Sequence, residues 1–187
     1  MQYWLKKSFL SHNSRSHYAV GSPKSTNGRG AVYICHSCFT NEHNENKDME
    51  IEYDKSTLSF GSRFGQALAA VNFDGKGGDE LVVGAPLHST PEKYDVGKVK
   101  VFTFQGSSKW QSEEVRELSP PELTSGSQFG SAIENLGDIH NDGFEDFAVS
   151  APYFGDNKAG AVFIYRGNSE IWQFGKHDMI SIFNLRA

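Results

Sequence analysis

Apolar residues in this chain come in short runs, punctuated by glycine, asparagine and aspartate. Three segments share one order of such runs. The first reads Tyr18-Ala19-Val20-Gly21-Ser22-Pro23, then Gly30-Ala31-Val32-Tyr33-Ile34. The second reads Phe64-Gly65-Gln66-Ala67-Leu68, Leu81-Val82-Val83-Gly84-Ala85-Pro86, then Gly97-Lys98-Val99-Lys100-Val101-Phe102. The third reads Phe129-Gly130-Ser131-Ala132-Ile133, Phe147-Ala148-Val149-Ser150-Ala151-Pro152, then Gly160-Ala161-Val162-Phe163-Ile164-Tyr165. The prolines at 23, 86 and 152 lie 63 and 66 residues apart, and the Phe-Gly pairs 65, so the repeat is about 65 residues long. Each run is short and rich in β-branched and aromatic residues, which predicts strands. No segment sustains the 3.6-residue period of a helical solenoid.

Three strands per unit follow directly. A fourth is expected in Trp110 to Leu118, where the charges of QSEEVREL suit an exposed outer edge. A repeated unit of three or four strands that cannot bury both faces alone is the pattern of a propeller blade. The fold class expected is therefore all-β, a partial β-propeller of about three blades of antiparallel strands. The small residues after the second strand fit a blade that tapers towards a central channel. Three units are expected. Residues 1–54 form an incomplete unit and an acidic linker, Asn41 to Asp54, that holds part of an outer strand. Residues 55–121 form a full unit. Residues 122–187 form another, with a tail (QFGKHDMISIFNLRA) that departs from the pattern.

Composition narrows the function classes. With 19 Gly and 14 Phe among 187 residues, short strands are favoured over long helices. The balance of 18 Lys+Arg against 23 Asp+Glu gives a net charge of −5, which excludes a general nucleic-acid binder with a basic face. No run approaches the ~18 apolar residues of a membrane helix. The N-terminal MQYWLKKSFL lacks the long apolar stretch of a signal peptide. The two cysteines, Cys35 and Cys38, lie in C-H-S-C with no second ligand pair, so a zinc ribbon is excluded. They end a strand-like run rather than open a helix, and read as a short-range disulfide or two inert thiols at a hairpin mouth.

One loop carries the chemistry. Asp138-Ile139-His140-Asn141-Asp142-Gly143-Phe144-Glu145-Asp146 places polar side chains at alternating positions, then a glycine, then a carboxylate. That is how a chain wraps a hard cation: alternation turns every second side chain inward and the glycine allows the sharp turn. A helix does not follow as in an EF-hand; FAVSAP is a strand. The candidate ligand set is Asp138, His140, Asp142, Phe144 and Asp146, and a flexible loop of six or more oxygens prefers Ca²⁺ to Mg²⁺. His140 is the flaw, because imidazole is a poor ligand for Ca²⁺, and its ring is expected to face solvent. The second unit has a weaker version, Asn72, Asp74, Lys76 and Glu80, with an ammonium at a ligand position. The same stretch of the first unit, Phe9 to His17, has no carboxylate and is expected to hold no metal. Enzyme signals are weak. Gly75-Lys76-Gly77-Gly78 is not a phosphate loop, and no nucleophile elbow occurs, so no catalytic residue is expected.

The order Phe-Gly, calcium-type loop, Gly-Ala-Pro, Gly-x-Val-Tyr resembles the FG-GAP repeat. FGSAIENLGDIHNDGFEDFAVSAPYFGDNKAGAVFIYRG looks like the last blade of the seven-bladed propeller of integrin α subunits. FGQALAAVNFDGKGGDELVVGAP looks like the blade before it, and HYAVGSPKSTNGRGAVYIC like the one before that, its Phe-Gly strand lost or replaced by MQYWLKKSFL. The resemblance spans roughly residues 9–168. It implies a fragment of a cell-surface adhesion and signalling receptor. The full-length protein would pair with an integrin β subunit and bind a matrix or cell-surface ligand, with membrane segments that are absent here. In that family the calcium loops are structural and lie on the lower side of the propeller. The alternative is an FG-GAP propeller accompanying a glycosylphosphatidylinositol-specific phospholipase D catalytic domain.

Overall fold

The computed structural model describes residues 7–12, 15–35, 49–51, 53–105, 111–169 and 177–181. Their strands form three four-stranded antiparallel sheets, each running in chain order from one edge to the other. The first holds β1 (Lys7–His12), β2 (Arg15–Ser22), β3 (Ala31–Cys35) and β4 (Met49–Glu50). The second holds β5 (Ala67–Val71), β6 (Glu80–Ala85), β7 (Lys98–Gln105) and β8 (Gln111–Leu118). The third holds β9 (Ile133–Gly137), β10 (Asp146–Ala151), β11 (Ala161–Tyr165) and β12 (His177–Ser181). The architecture is all-β, as the repeats imply. Among the described residues no helix is long and apolar enough to cross a membrane.

Both ends of the pattern carry a strand. Of the two readings of the first unit's opening strand, lost or replaced by MQYWLKKSFL, replacement holds. β1 pairs with β2 along its whole length, from Lys7↔Val20 to His12↔Arg15, so KSFLSH supplies the first strand without a Phe-Gly pair. The stretch read as a counterpart of the acidic loop thus falls largely within two paired strands. The tail does continue the third sheet. β12 pairs with β11 from Ala161↔Ser181 to Tyr165↔His177. Backbone pairing needs no apolar periodicity, which is why the tail strand does not announce itself.

The sheets stack face to face through two cores. One joins the first and second sheets and includes Ala19, Val32, Ile34, Phe64, Leu68, Leu81, Val83 and Phe102. The other joins the second and third and includes Val71, Phe73, Val82, Val99, Val101, Phe129, Phe147, Val149 and Phe163. Alternate residues of β6 therefore serve different cores, and all six are buried. β10 has only one covered face, and its burial alternates. This is the difference between a two-sided and a one-sided strand.

The repeated glycines hold these joints. Parallel bridges link Gly30 to Phe64 and Gly97 to Phe129 across successive sheets. Both glycines have positive φ (+97° and +86°), and a Cβ on either would land on the facing phenylalanine carbonyl oxygen. Gly21 and Gly84 likewise press on the carbonyls of Gly65 and Gly130. So the glycine before Ala-Pro serves contact between sheets, in addition to any taper. The third sheet has Ser150 at this place, and its hydroxyl accepts from the Ala132 amide (2.9 Å).

Candidate cation-binding loops

The acidic segments are the β5–β6 and β9–β10 connections, which lie at the same end of neighbouring sheets. In the third sheet's loop the turn is made by the chain itself. Asn141 and Gly143 take positive φ (+55° and +92°). Asp138 accepts from the main-chain nitrogens of Asp142 (3.0 Å) and Gly143 (2.8 Å). Those bonds, that of Gly143 first, hold its carboxyl below the ordinary aspartate range. Asp142 accepts from the Phe144 amide (3.1 Å). Asp138 and Asp142 are exposed, while Asp146 is fully buried.

Asp146 is saturated by this chain. Its Oδ1 accepts from the Gly167 amide (3.0 Å) and its Oδ2 from the Ile139 amide (3.1 Å). The same Oδ2 lies 2.7 Å from His140 Nδ1. The expectation that His140 faces solvent holds only in part: the residue is exposed as a whole, but its side chain is 27% exposed and its ring lies against the last carboxylate. A carboxylate recruits the nearest N–H, and position three of the loop supplies one.

The second sheet's loop is arranged differently. Asp74 and Glu80 are both buried, at 6% exposure each. Asp74 accepts from the Lys76 amide (2.9 Å) and Glu80 from the Phe73 amide (3.3 Å). Asn72 Oδ1 accepts from the Gly75 amide (3.1 Å). Burial, then the charge of Asp74, push the Glu80 carboxyl up to about 8. Lys76 Nζ reaches Asp74 Oδ2 at 3.4 Å, but its side chain is 62% exposed. The ammonium stands at the mouth of the loop, not within it. Among the described residues no group of three or more His, Cys, Asp or Glu gathers into a ready metal cage.

The two loops touch each other, which the sequence pattern does not indicate. Glu145 Oε2 accepts from the Asn72 amide and from Asn135 Nδ2, both at 2.8 Å. Asn135 Nδ2 also donates to the Ala70 carbonyl (3.0 Å), and the Glu145 amide donates to the Asn72 carbonyl (3.2 Å). Gly167 closes the group from behind. A Cβ there would meet the Glu145 carbonyl, the Phe144 Cβ and the Phe73 carbonyl within 2.5–2.8 Å.

Elsewhere, Cys35 is disulfide-bonded, as one of the two readings of C-H-S-C expects, while Cys38 lies outside the described residues. Between the first and second sheets, Glu117 bridges Lys98 (2.6 Å) and the fully buried Lys100 (3.3 Å). Lys98 also donates to the Thr57 carbonyl (3.3 Å), fixing the turn before the Phe-Gly segment.

Comparison with known proteins agrees with this geometry. Residues 129–165, which run from Phe-Gly to the end of β11, match the FG-GAP repeat. Integrin alpha-4 of Xenopus laevis is 38% identical over 152 residues, 81% of this chain and 14% of that protein. Integrin alpha-PS2 of Drosophila melanogaster is 34% identical over 157 residues, 80% of this chain and 10% of that protein. Integrin alpha-V of Gallus gallus is 31% identical over 156 residues, 81% of this chain and 14% of that protein. The chain thus spans a small part, 10–14%, of the length of these relatives. With three glycine-jointed sheets and similarity across some four-fifths of its length, the chain belongs to the integrin α family, within its FG-GAP propeller.

Proposed function

We propose that this chain is the last three blades of the propeller of an integrin α-like adhesion receptor, with unit boundaries near residues 54 and 121. In the full-length protein the partner is an integrin β subunit, and the ligand a matrix or cell-surface protein. The role is non-enzymatic adhesion and signalling from the extracellular side of the plasma membrane. The observation that carries this reading is the pair of Gly/Phe-Gly joints between sheets, together with the integrin α likeness across the same residues. The disulfide at Cys35 fits an oxidising, extracellular setting.

The cation implied by the family is Ca²⁺, and the two loops differ in how they suit it. The second loop fits. Asp74 and Glu80 are both buried, and burial first and the Asp74 charge second disfavour an ionised Glu80, a penalty that a cation would relieve, with Asn72 as a further oxygen donor. Calcium there would supply that charge, the Lys76 side chain being already largely in solvent. In the third loop Asp138, Asp142, Asp146 and Phe144 have the calcium-type spacing, but His140 already holds Asp146 and the set does not fit the ion as it stands.

The test replaces the corresponding propeller segment of a full-length integrin α relative with residues 7–181 and asks whether the chimaera co-precipitates a β subunit. Heterodimer formation at the level of the parent supports the reading. A folded chimaera that fails to pair would overturn it.

A further inference from the structure

We infer that the third loop, Asp138 to Asp146, is closed by His140 in place of a metal ion. The inference rests on the reading of this loop as calcium-type by descent, and concerns what this chain has done with it. Three observations carry it. His140 occupies the third position of the loop, where an oxygen donor is expected, and its Nδ1 lies 2.7 Å from Asp146 Oδ2. Asp146 is fully buried and its two oxygens already accept from Gly167, Ile139 and His140. An ionised carboxylate only accepts, so Nδ1 carries the hydrogen and presents it to the place where a cation would sit. A donor N–H offers no lone pair to a metal, and imidazole is in any case a poor partner for a hard cation.

The second loop is the internal control. There the two carboxylates are buried together, the amide of Phe73 reaches Glu80 at a long 3.3 Å, and the Lys76 ammonium beside Asp74 is largely in solvent. In the third loop the charge of Asp146 is met by three donors from this chain, two of them main-chain. A calcium ion could reach Asp146 only by displacing the His140 ring. The third loop therefore keeps its turn, and its contacts to the second sheet through Glu145, whether or not calcium is present.

The test is calcium binding by the full chain carrying Asp74→Asn, which silences the second loop, followed by titration calorimetry and thermal melting. The expected result is no saturable binding and no rise in Tm at millimolar calcium. Adding His140→Asp should restore an oxygen at position three and create saturable binding, and Asp142→Asn should abolish that gain. Calcium binding by the Asp74→Asn chain that disappears with Asp142→Asn would overturn the inference. So would a His140→Asp chain that gains no binding. An independent readout is the amide NMR spectrum of the Asp74→Asn chain, whose second loop is silent: the Ile139 and Gly167 signals, which report the Asp146 bonds, should stay in place as calcium is added. Movement of both on saturation would also overturn it.

Discussion

Glu145 accepts a 2.8 Å hydrogen bond from the main-chain nitrogen of Asn72, 73 residues earlier in the chain. The bond crosses from the third sheet's acidic loop to the second's, and Asn135 meets the same oxygen. The joint between two sheets is therefore apolar in its middle and closed by a charged staple at the loop end. Glu145→Ala leaves the Asn72 amide without its acceptor in a half-buried place. The expected cost is about 1–3 kcal/mol, with Glu145→Gln losing less, because an amide oxygen can still accept. Urea unfolding measures both. An alanine variant within about 0.5 kcal/mol of the parent would mean that water replaces the staple.

Glu80 predicts a pH dependence with a definite sign. Its carboxyl rises from 4.5 to about 8 on folding, so the folded state favours the protonated form. The contribution is fully present below the unfolded value and is lost as pH rises through the folded one. In chelator the chain should lose stability between about pH 4.5 and 8, and Glu80→Gln should flatten that slope. Calcium in the second loop should have the opposite effect, stabilising most strongly where Glu80 is ionised. Melts across this range, with and without calcium, supply the check. A slope that survives Glu80→Gln would place its origin elsewhere.

The sheet joints predict an asymmetry between equivalent positions. Gly84→Ala would drive a methyl into the Gly130 carbonyl, backbone against backbone, at an expected cost of about 1–3 kcal/mol or more. Ser150→Gly, at the corresponding place in the third sheet, meets no such neighbour and gives up only the hydroxyl bond to Ala132. Denaturation of the two variants should show Gly84→Ala as much the more damaging. Equal effects would contradict a joint built on glycine contact.

The uncovered face of the third sheet makes a separate prediction. Val162 and Ile180 are paired across β11 and β12 and are 38% and 42% exposed. Adjacent apolar side chains left in water favour association. The chain should self-associate as its concentration rises, and Val162→Lys should weaken this without lowering Tm. Sedimentation over a concentration series is the measurement, and a monomer at all concentrations would contradict it.

Much of this was legible in the residues, for a physical reason. Strands buried on one or both faces must carry apolar side chains, and joints that admit no Cβ must carry glycine. Residues 18–35, 64–104 and 129–165 therefore display the fold openly. β12 escapes notice, and β1 shows only as a stretch standing where the Phe-Gly strand would be, because an edge strand is held by main-chain bonds that any residue can make. The His140 contact escapes too, since loop spacing says where a side chain starts and not which acceptor it finds. Glu145 is the hardest case: its partners Asn72 and Asn135 are set by the stacking of sheets and by nothing local.

The central claim is that these three sheets are propeller blades of an integrin α-type receptor. The most direct measurement is flow cytometry of cells that co-express an integrin β subunit with a full-length α relative carrying residues 7–181 in place of its own segment. The account predicts surface display of the heterodimer and adhesion comparable to the parent, with Gly84→Ala in the same chimaera reducing display. A chimaera that folds yet stays inside the cell, unpaired with β, would contradict it.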